Sequence, residues 1–235
     1  MSSVPPTEII ERAREYGADL STEDGARMGE FLDLLLSANR EFNLTAIEEL
    51  DEAWEKHVLD SLSLLPDLVD LPAGAEVVDV GSGGGLPALP LAISLPSLSF
   101  TLIEATGKKA QFLSETAKRL GLTNVKVVTD RAESFGRGIG RSRFSAATAR
   151  AVSRLPVLLE LTLPLLRMHG RLLAIKGEQA EQEVSESPTA LSILKGTLTS
   201  VRRTSTGTVI RIEKSEATPN HYPRRPGEPK RNPLR

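Results

Sequence analysis

The chain of 235 residues has no cysteine. That excludes disulfides, thiolate metal sites and a cysteine nucleophile together. Histidine is scarce too. His57, His169 and His221 lie far apart in sequence, and no metal site is expected. Aromatic residues are 4% of the chain, too few for a deep aromatic pocket of the kind that holds small substrates. No run approaches the ~20 apolar residues that span a bilayer, so no membrane partner is expected. The opening Met1-Ser2-Ser3-Val4-Pro5-Pro6 lacks a basic start before an apolar stretch. No signal peptide is read there, and the cytoplasm is the expected location.

What is present suits a soluble globular protein: 40% hydrophobic and 26% charged residues. The length allows one α/β domain with a helical extension. The net charge of −2 conceals an asymmetry. Residues 1–70 carry 17 Asp+Glu against 5 Lys+Arg, whereas residues 71–235 carry 14 against 24. A basic second part suits a polyanionic partner, although a solvated surface has the same composition.

Residues 7–70 read as helices. Thr7 can cap a helix through Tyr16 that Gly17 closes. Met28, Phe31, Leu32, Leu35 and Ala38 fall on one helical face. Thr45-Ala46-Ile47-Glu48 has the capping-box pattern, and Trp54, Val58, Ser61, Leu62 and Leu65 form a further stripe ending at Pro66. From residue 75 the period changes. Strands are expected at 76–80, 99–103, 125–128, 144–149 and 171–175, with helices at about 86–94, 108–120, 155–166 and 178–186. Two late strands, 198–202 and 208–212, read as a hairpin around Thr204-Ser205-Thr206-Gly207. Strands alternating with helices imply a mostly parallel sheet covered on both faces, and the last pair implies one antiparallel insertion. The expected organisation is a helical extension at 1–70, an α/β domain at 71–213 and an extended basic, proline-rich tail at 214–235. The fold class is a Rossmann-like, seven-stranded α/β sheet.

The strongest local signal is Gly81-Ser82-Gly83-Gly84-Gly85, directly after Glu76-Val77-Val78-Asp79-Val80. It falls at the carboxyl end of the sheet, where doubly wound folds bind ligands. Glycine lets backbone approach a ligand with no Cβ between them. Glu104 ends the next strand, where a carboxylate can accept both ribose hydroxyls of an adenosine cofactor. That geometry serves a nicotinamide dinucleotide and S-adenosylmethionine alike. Leu86 at the third fingerprint position and the open triple glycine favour S-adenosylmethionine, which has no pyrophosphate to cradle. Asp79 either orients the cofactor's amino-acid end or bonds loop amides. Asp130-Arg131-Ala132-Glu133 follows the third strand, where adenine would lie. Arg150 follows the fourth strand and suits a cofactor carboxylate or a phosphate. Lys176 ends the fifth and suits a phosphate. His57 reads as a helix-surface or core histidine.

After the fourth strand comes Ala149-Arg150-Ala151-Val152-Ser153. The Asn/Asp-Pro-Pro-aromatic motif of amine methylation is absent, and methylation of pyrimidine C5 normally needs the missing cysteine. Guanine N7 carries a free lone pair and no proton, so its methylation needs no general base.

The chain resembles the bacterial ribosomal small-subunit methyltransferase G family, also called glucose-inhibited division protein B. The residues that carry the resemblance are Asn43-Leu44-Thr45-Ala46, Lys56-His57-Val58-Leu59-Asp60-Ser61, the run from Asp79 to Leu91 with Gly85-Leu86-Pro87, Arg131-Ala132-Glu133, Ala149-Arg150-Ala151-Val152 and Lys176-Gly177. The resemblance implies a class I methyltransferase that moves a methyl group from S-adenosylmethionine to guanine N7 in the 530 loop of 16S ribosomal RNA. It implies that Gly81, Leu86, Ala132, Glu133 and Arg150 edge the cofactor, joined on the loop reading by Asp79, Gly83, Gly85 and Glu104. Arg131 and Arg150 would border the RNA, with Lys176 and the tail's Arg224, Arg225, Lys230 and Arg231 as further contacts. The substrate is then naked 16S RNA or the small subunit, and a monomer is expected. Two departures stand out: Phe144-Ser145 where many relatives have Phe-Asp, and Thr206-Gly207-Thr208 where many have an Arg-His pair. Two other readings stay open: a methyltransferase for another RNA or a small molecule, and a non-catalytic RNA-binding relative.

Overall fold

The computed structural model describes residues 4–234. Met1 to Ser3, part of the leader argument, and Arg235, the tail's last cation, lie outside the described residues. The N-terminal part holds α1 (Thr7–Glu15) and α2 (Thr22–Asn39). Thr7 is the first helical residue rather than the cap, and Pro6 occupies the cap position. Ser21 caps α2 reciprocally with Asp24. The capping box expected at Thr45 does not form. Residues 43–49 run without regular structure, and the Thr45 hydroxyl oxygen accepts from the Ile47 amide, 3.0 Å away, and meets His57. A continuous helical run follows instead: α3 (Leu50–Ala53), one π-helical segment (Trp54–Leu59) and α4 (Asp60–Leu62). Pro66 does not end the chain's winding. It sits early in a 3₁₀ turn (Leu65–Asp67), where its missing N–H costs nothing.

The strands are β1 (Glu76–Val80), β2 (Ser99–Glu104), β3 (Val125–Thr129), β4 (Phe144–Arg150), β5 (Leu166–Lys176), β6 (Gly196–Arg203) and β7 (Thr208–Lys214). They form one sheet in the order β3-β2-β1-β4-β5-β7-β6. All pairs from β3 to β5 are parallel, and β7 inserts antiparallel between β5 and β6. The helices between them are α5 (Ala88–Ser94), α6 (Gly107–Arg119), α7 (Ala132–Arg137), α8 (Leu155–Thr162), α9 (Ala180–Ser185), α10 (Pro188–Leu194) and, in the tail, α11 (Glu228–Arg231). The helix expected to reach 166 stops at Thr162, because Leu166 already pairs with Phe144 across a bulge in the β4–β5 ladder.

Alternation along the strands sorts the core into two layers. Val77, Ala146 and Leu173 face one layer, and Val78, Ala147 and Leu172 the other. The first layer also contains Phe31, Leu32, Leu35 and Trp54, so the N-terminal helices cover a sheet face together with α5 and α6. Each such side chain stabilises by about 1.5–3 kcal/mol on burial. Asp67 and Asp70 add ion pairs to Arg202, Arg211 and Arg171 on the strands.

The tail is not an extended polar arm. The Arg141 guanidinium donates to the carbonyls of Tyr222 and Thr218 at 2.6 and 2.7 Å. Arg224 lies in a fork against Glu160, which is fully buried on α8. The Gly227 amide donates to Glu133, and α11 packs on α8. Prolines preset the backbone, and buried charge pairing fixes where it docks. No helix among the described residues is long and apolar enough to cross a membrane.

Candidate active site at the carboxyl edge of the sheet

The strand order reverses between β1 and β4, which opens a crevice beyond their carboxyl ends. On its β1 side the chain turns through Gly81 to Gly85. Gly83 has φ +51°, and a Cβ there would meet nothing nearer than the Gly81 carbonyl at 3.8 Å, so a space is left free of side chains. Gly85 differs. A Cβ on it would lie 2.5 Å from Leu89, so this glycine serves the seating of the loop against α5. Leu86 is buried in the same layer. The amides of Gly81 and Ser82 donate to the Ile103 carbonyl at 2.9 and 3.2 Å. Glu104 accepts from the amides of Gly83 at 3.0 Å and Thr106 at 2.7 Å, one on each carboxylate oxygen. It thereby ties the loop to the end of β2, and each oxygen keeps a lone pair for a further donor.

Asp79 lies beneath the loop, fully within the sheet. It does not bond the loop amides. One oxygen accepts from the Thr148 hydroxyl at 2.6 Å, its register neighbour on β4. The other is buried and has no hydrogen-bond partner among the described residues. Burial pushes the Asp79 carboxyl up to about 7, against the opposing pull of the Thr148 hydrogen bond.

Ala132 and Glu133 open α7 rather than lying in a loop. The Glu133 carboxylate accepts from the Gly227 amide at 2.8 Å, so the tail occupies one of its oxygens. Arg131, at the cap position of α7, is exposed.

On the β4–β5 side lies a cavity of ≈ 720 Å³. Arg150 reaches into a network there. Its Nη1 donates to the Lys56 carbonyl at 2.6 Å and to Asp60 at 3.2 Å, and its Nη2 lies 3.2 Å from His57 Nδ1, which is itself 3.0 Å from the Lys56 carbonyl. Thr206 donates to the second Asp60 oxygen at 2.6 Å. Lys176 is buried here, paired with Glu183 at 2.8 Å and donating to the Ser153 carbonyl. Glu183 also accepts from the Leu155 amide at 2.7 Å. Lys176 therefore anchors the loop after β4 instead of facing solvent. That loop folds back so that the Val152 side chain lies against Gly81.

Of the tail cations, Arg224 is taken up by Glu160, while Arg225, Lys230 and Arg231 are exposed. Sequence reasoning missed Thr45, His57, Asp60, Thr148, Glu183 and Thr206. A signal was available for two of them: His57 and Asp60 interrupt an otherwise apolar buried stripe.

The sheet order and the crevice define the Rossmann-like methyltransferase fold. A solved structure of a SAM-dependent methyltransferase from Aquifex aeolicus has a TM-score of 0.56 over 76% of this chain and 98% of that one, at 16% identity. The YcgJ protein of Bacillus subtilis has a TM-score of 0.51 over 66% of this chain and 98% of that one, also at 16% identity. The family described as rRNA small subunit methyltransferase G matches residues 24–211. Proteins named ribosomal RNA small subunit methyltransferase G are similar along nearly the whole chain. That of Sorangium cellulosum is 47% identical over 221 residues, 94% of this chain and 92% of its own. That of Chloroflexus aggregans is 41% identical over 232 residues, 96% of this chain and 97% of its own. The chain belongs to the rRNA small subunit methyltransferase G family, and it is an S-adenosylmethionine-dependent methyltransferase.

The residues fit that cofactor. The side-chain-free space at Gly83 borders the Glu104 carboxylate, a partner for ribose hydroxyls. The unpartnered buried oxygen of Asp79 is a natural acceptor for an ammonium group.

Proposed function

We propose that this enzyme methylates N7 of a guanine in the 530 loop of small-subunit ribosomal RNA, acting as a cytoplasmic monomer on the RNA or the assembled subunit. The observation that carries the reading is the state of the ionisable side chains around the cavity. Both Asp60 oxygens accept hydrogen bonds, both His57 ring nitrogens have partners, and Lys176 is paired with Glu183. Each is engaged in an ion pair or hydrogen bond, and none stands unpaired in the cavity as a dedicated base. An acceptor atom with a lone pair and no hydrogen is what such a wall can serve, and guanine N7 is one.

The bound cofactor supplies an electrophilic methyl carbon on a sulfonium. The protein's task is to align and to exclude water. Glu104 and the Gly83 backbone hold the ribose side, Asp79 takes the ammonium, and Ala132 with Leu86 borders the adenine. Arg150 supplies a fixed cation at the methyl-transfer end. Arg131, Arg225, Lys230 and Arg231 are exposed cations available to phosphates. Arg224 and Lys176 are left out of that set, because each already neutralises a buried glutamate.

Incubation with labelled S-adenosylmethionine and small subunits lacking the modification tests the reading. Label in 7-methylguanosine of the 530 loop is expected. Label in another nucleoside, or only in small molecules, would refute it.

A further inference from the structure

Asp79 and Thr148 stand side by side across the β1–β4 ladder. Side chains alternate along both strands, so the two face the layer that holds Val77, Ala146 and Leu173. Both are buried, Asp79 at 1% exposure. On its other side Asp79 is in register with Leu102 of β2, which has nothing to donate. The Ser82 hydroxyl is turned to the Asp79 backbone carbonyl at 3.2 Å. Thr148 is the side chain that reaches the carboxylate, at 2.6 Å.

A hydroxyl in a buried strand costs free energy unless it is hydrogen-bonded, and valine would fill the same space. The neighbours of Thr148 along β4 are Ala146, Ala147 and Ala149. Its hydroxyl goes to one carboxylate oxygen, which sets how the group is turned. The second oxygen is left buried, with no hydrogen-bond partner among the described residues. A leftover buried acceptor beneath the glycine loop, where the strand order reverses, is not explained by packing.

We propose that Thr148 is a positioning residue: its hydroxyl turns the Asp79 carboxylate so that the free oxygen meets the ammonium of the cofactor's amino-acid part. The inference rests on the reading of Asp79 as the acceptor of that ammonium. The charges that act on Asp79 are Arg150 at the end of β4 and Glu104 at the end of β2. Burial pushes its carboxyl up to about 7, with the Thr148 and Ser82 hydroxyls and then Arg150 opposing, and Glu104 adding. An ammonium favours the ionised carboxylate, so affinity for a ligand that carries one falls as pH drops below about 7. Without the Thr148 hydroxyl the carboxyl rises further, and the fall sets in at a higher pH.

The test sets two ligands against each other in the full chain. S-adenosylhomocysteine carries the amino-acid part, and 5′-methylthioadenosine lacks it. Calorimetry measures both affinities at pH 8, where the native Asp79 is ionised, and again at pH 6. Melting of the free protein is followed alongside. At pH 8 Thr148→Val is expected to weaken S-adenosylhomocysteine about 10- to 100-fold, the size of a hydrogen bond to a charged group, and 5′-methylthioadenosine less than about twofold. Thr148→Ala should show the same ligand preference, however the valine packs. Thr148→Ser keeps a hydroxyl and should stay within about threefold of the native protein for both ligands. From pH 8 to pH 6 the native protein should lose about tenfold in affinity, for S-adenosylhomocysteine only. Equal weakening of both ligands by Thr148→Val and Thr148→Ala would overturn the proposal, because Thr148 would then serve packing alone. Native affinities in both variants would also overturn it, where Asp79→Asn selectively loses S-adenosylhomocysteine. Asp79→Asn without that selective loss would instead remove the reading of Asp79 itself.

Discussion

The two walls of the crevice are made of different things. On the β1–β2 side the contacts are backbone amides converging on a carbonyl and on Glu104, and the key property at Gly83 is a missing side chain. On the β4–β5 side they are charged side chains gathered from the N-terminal helices, β4, β5 and α9, joined by the Thr206 hydroxyl of the β6–β7 turn. The first wall is assembled by a few consecutive residues and one strand end. The second exists only in the folded chain, and it is stable only while each buried charge keeps its partner. Mutations should therefore fail differently on the two sides: lost ligand affinity on the first, lost stability on the second.

The largest effect is expected at Lys176. Lys176→Met fills the space but leaves Glu183 buried, with only the Leu155 amide to satisfy it. Removing one partner of a buried pair costs about 3–5 kcal/mol. Urea unfolding should show a loss of that order. A loss below about 1 kcal/mol would mean that solvent already compensates Glu183, and the contrast between the walls would weaken.

The next effect separates the walls by pH, because each holds one buried titratable group with a shift of opposite consequence. His57 is neutral when folded, down at about 4 from 6.5. The unfolded chain binds the extra proton between those values, so stability falls as pH drops through that window. Asp79 is pushed up to about 7 from 3.8. Between those values the folded chain binds the extra proton, so stability rises as pH drops. Between pH 7 and 4.5 the His57 contribution amounts to about 2.4 kcal/mol and the Asp79 contribution to about 3 kcal/mol, so they nearly cancel. Asp79→Asn removes one of them. The variant should be more stable than the native chain at pH 7 and lose about 2.4 kcal/mol on going to pH 4.5, where the native chain stays nearly level. Denaturant melts at the two pH values decide it. Parallel behaviour of the two proteins would contradict the burial argument at one of these sites.

Gly83→Val probes the first wall. The left-handed φ costs a branched residue about 1–3 kcal/mol, and the open space admits the Cβ without a clash. Affinity for S-adenosylhomocysteine should fall at least about 100-fold, since that space is then filled. Calorimetry that found native affinity would detach this loop from the ligand.

The first wall was legible in the sequence because it is local. A β-branched run, a glycine turn and an acidic residue one strand later are readable in order, and so were all seven strands. The second wall was legible only through Arg150 and Lys176, each a charge at a strand end. Their partners are distant in the chain: Asp60 is 90 residues from Arg150, and Thr206 is 146 from Asp60. Thr45 looked like a helix cap because a hydroxyl three residues before a carboxylate is the same signal whether or not a helix follows. The tail looked extended because its composition is that of a linker. Its docking depends on Glu160, a carboxylate buried in the middle of an apolar helix, and nothing near it in sequence says what it pairs with.

The tail also supplies the smallest expected effect, and the one that decides how far the charged wall extends. A shallow cavity of ≈ 370 Å³ runs from Val152, Ser153 and Arg154, which also line the larger cavity, to Lys230 and Pro233 in the tail. Arg154 pairs there with Glu186, which also lines this cavity, so the cation offered to the phosphate of a nucleotide flanking the target guanine is the exposed Lys230. Deleting the tail cannot test this, because Arg224 would leave Glu160 buried and unpaired, and folding would fail for an unrelated reason. Lys230→Ala avoids that, since the side chain is exposed and its loss should leave melting unchanged within about 0.5 kcal/mol. Each phosphate contact on a single strand contributes about 0.7 to the slope of log affinity against log salt, so the variant should bind RNA with a slope shallower by about that amount. Cofactor affinity should not move. An unaltered slope would end the cation-lined wall at Arg154 and leave the tail a structural strap.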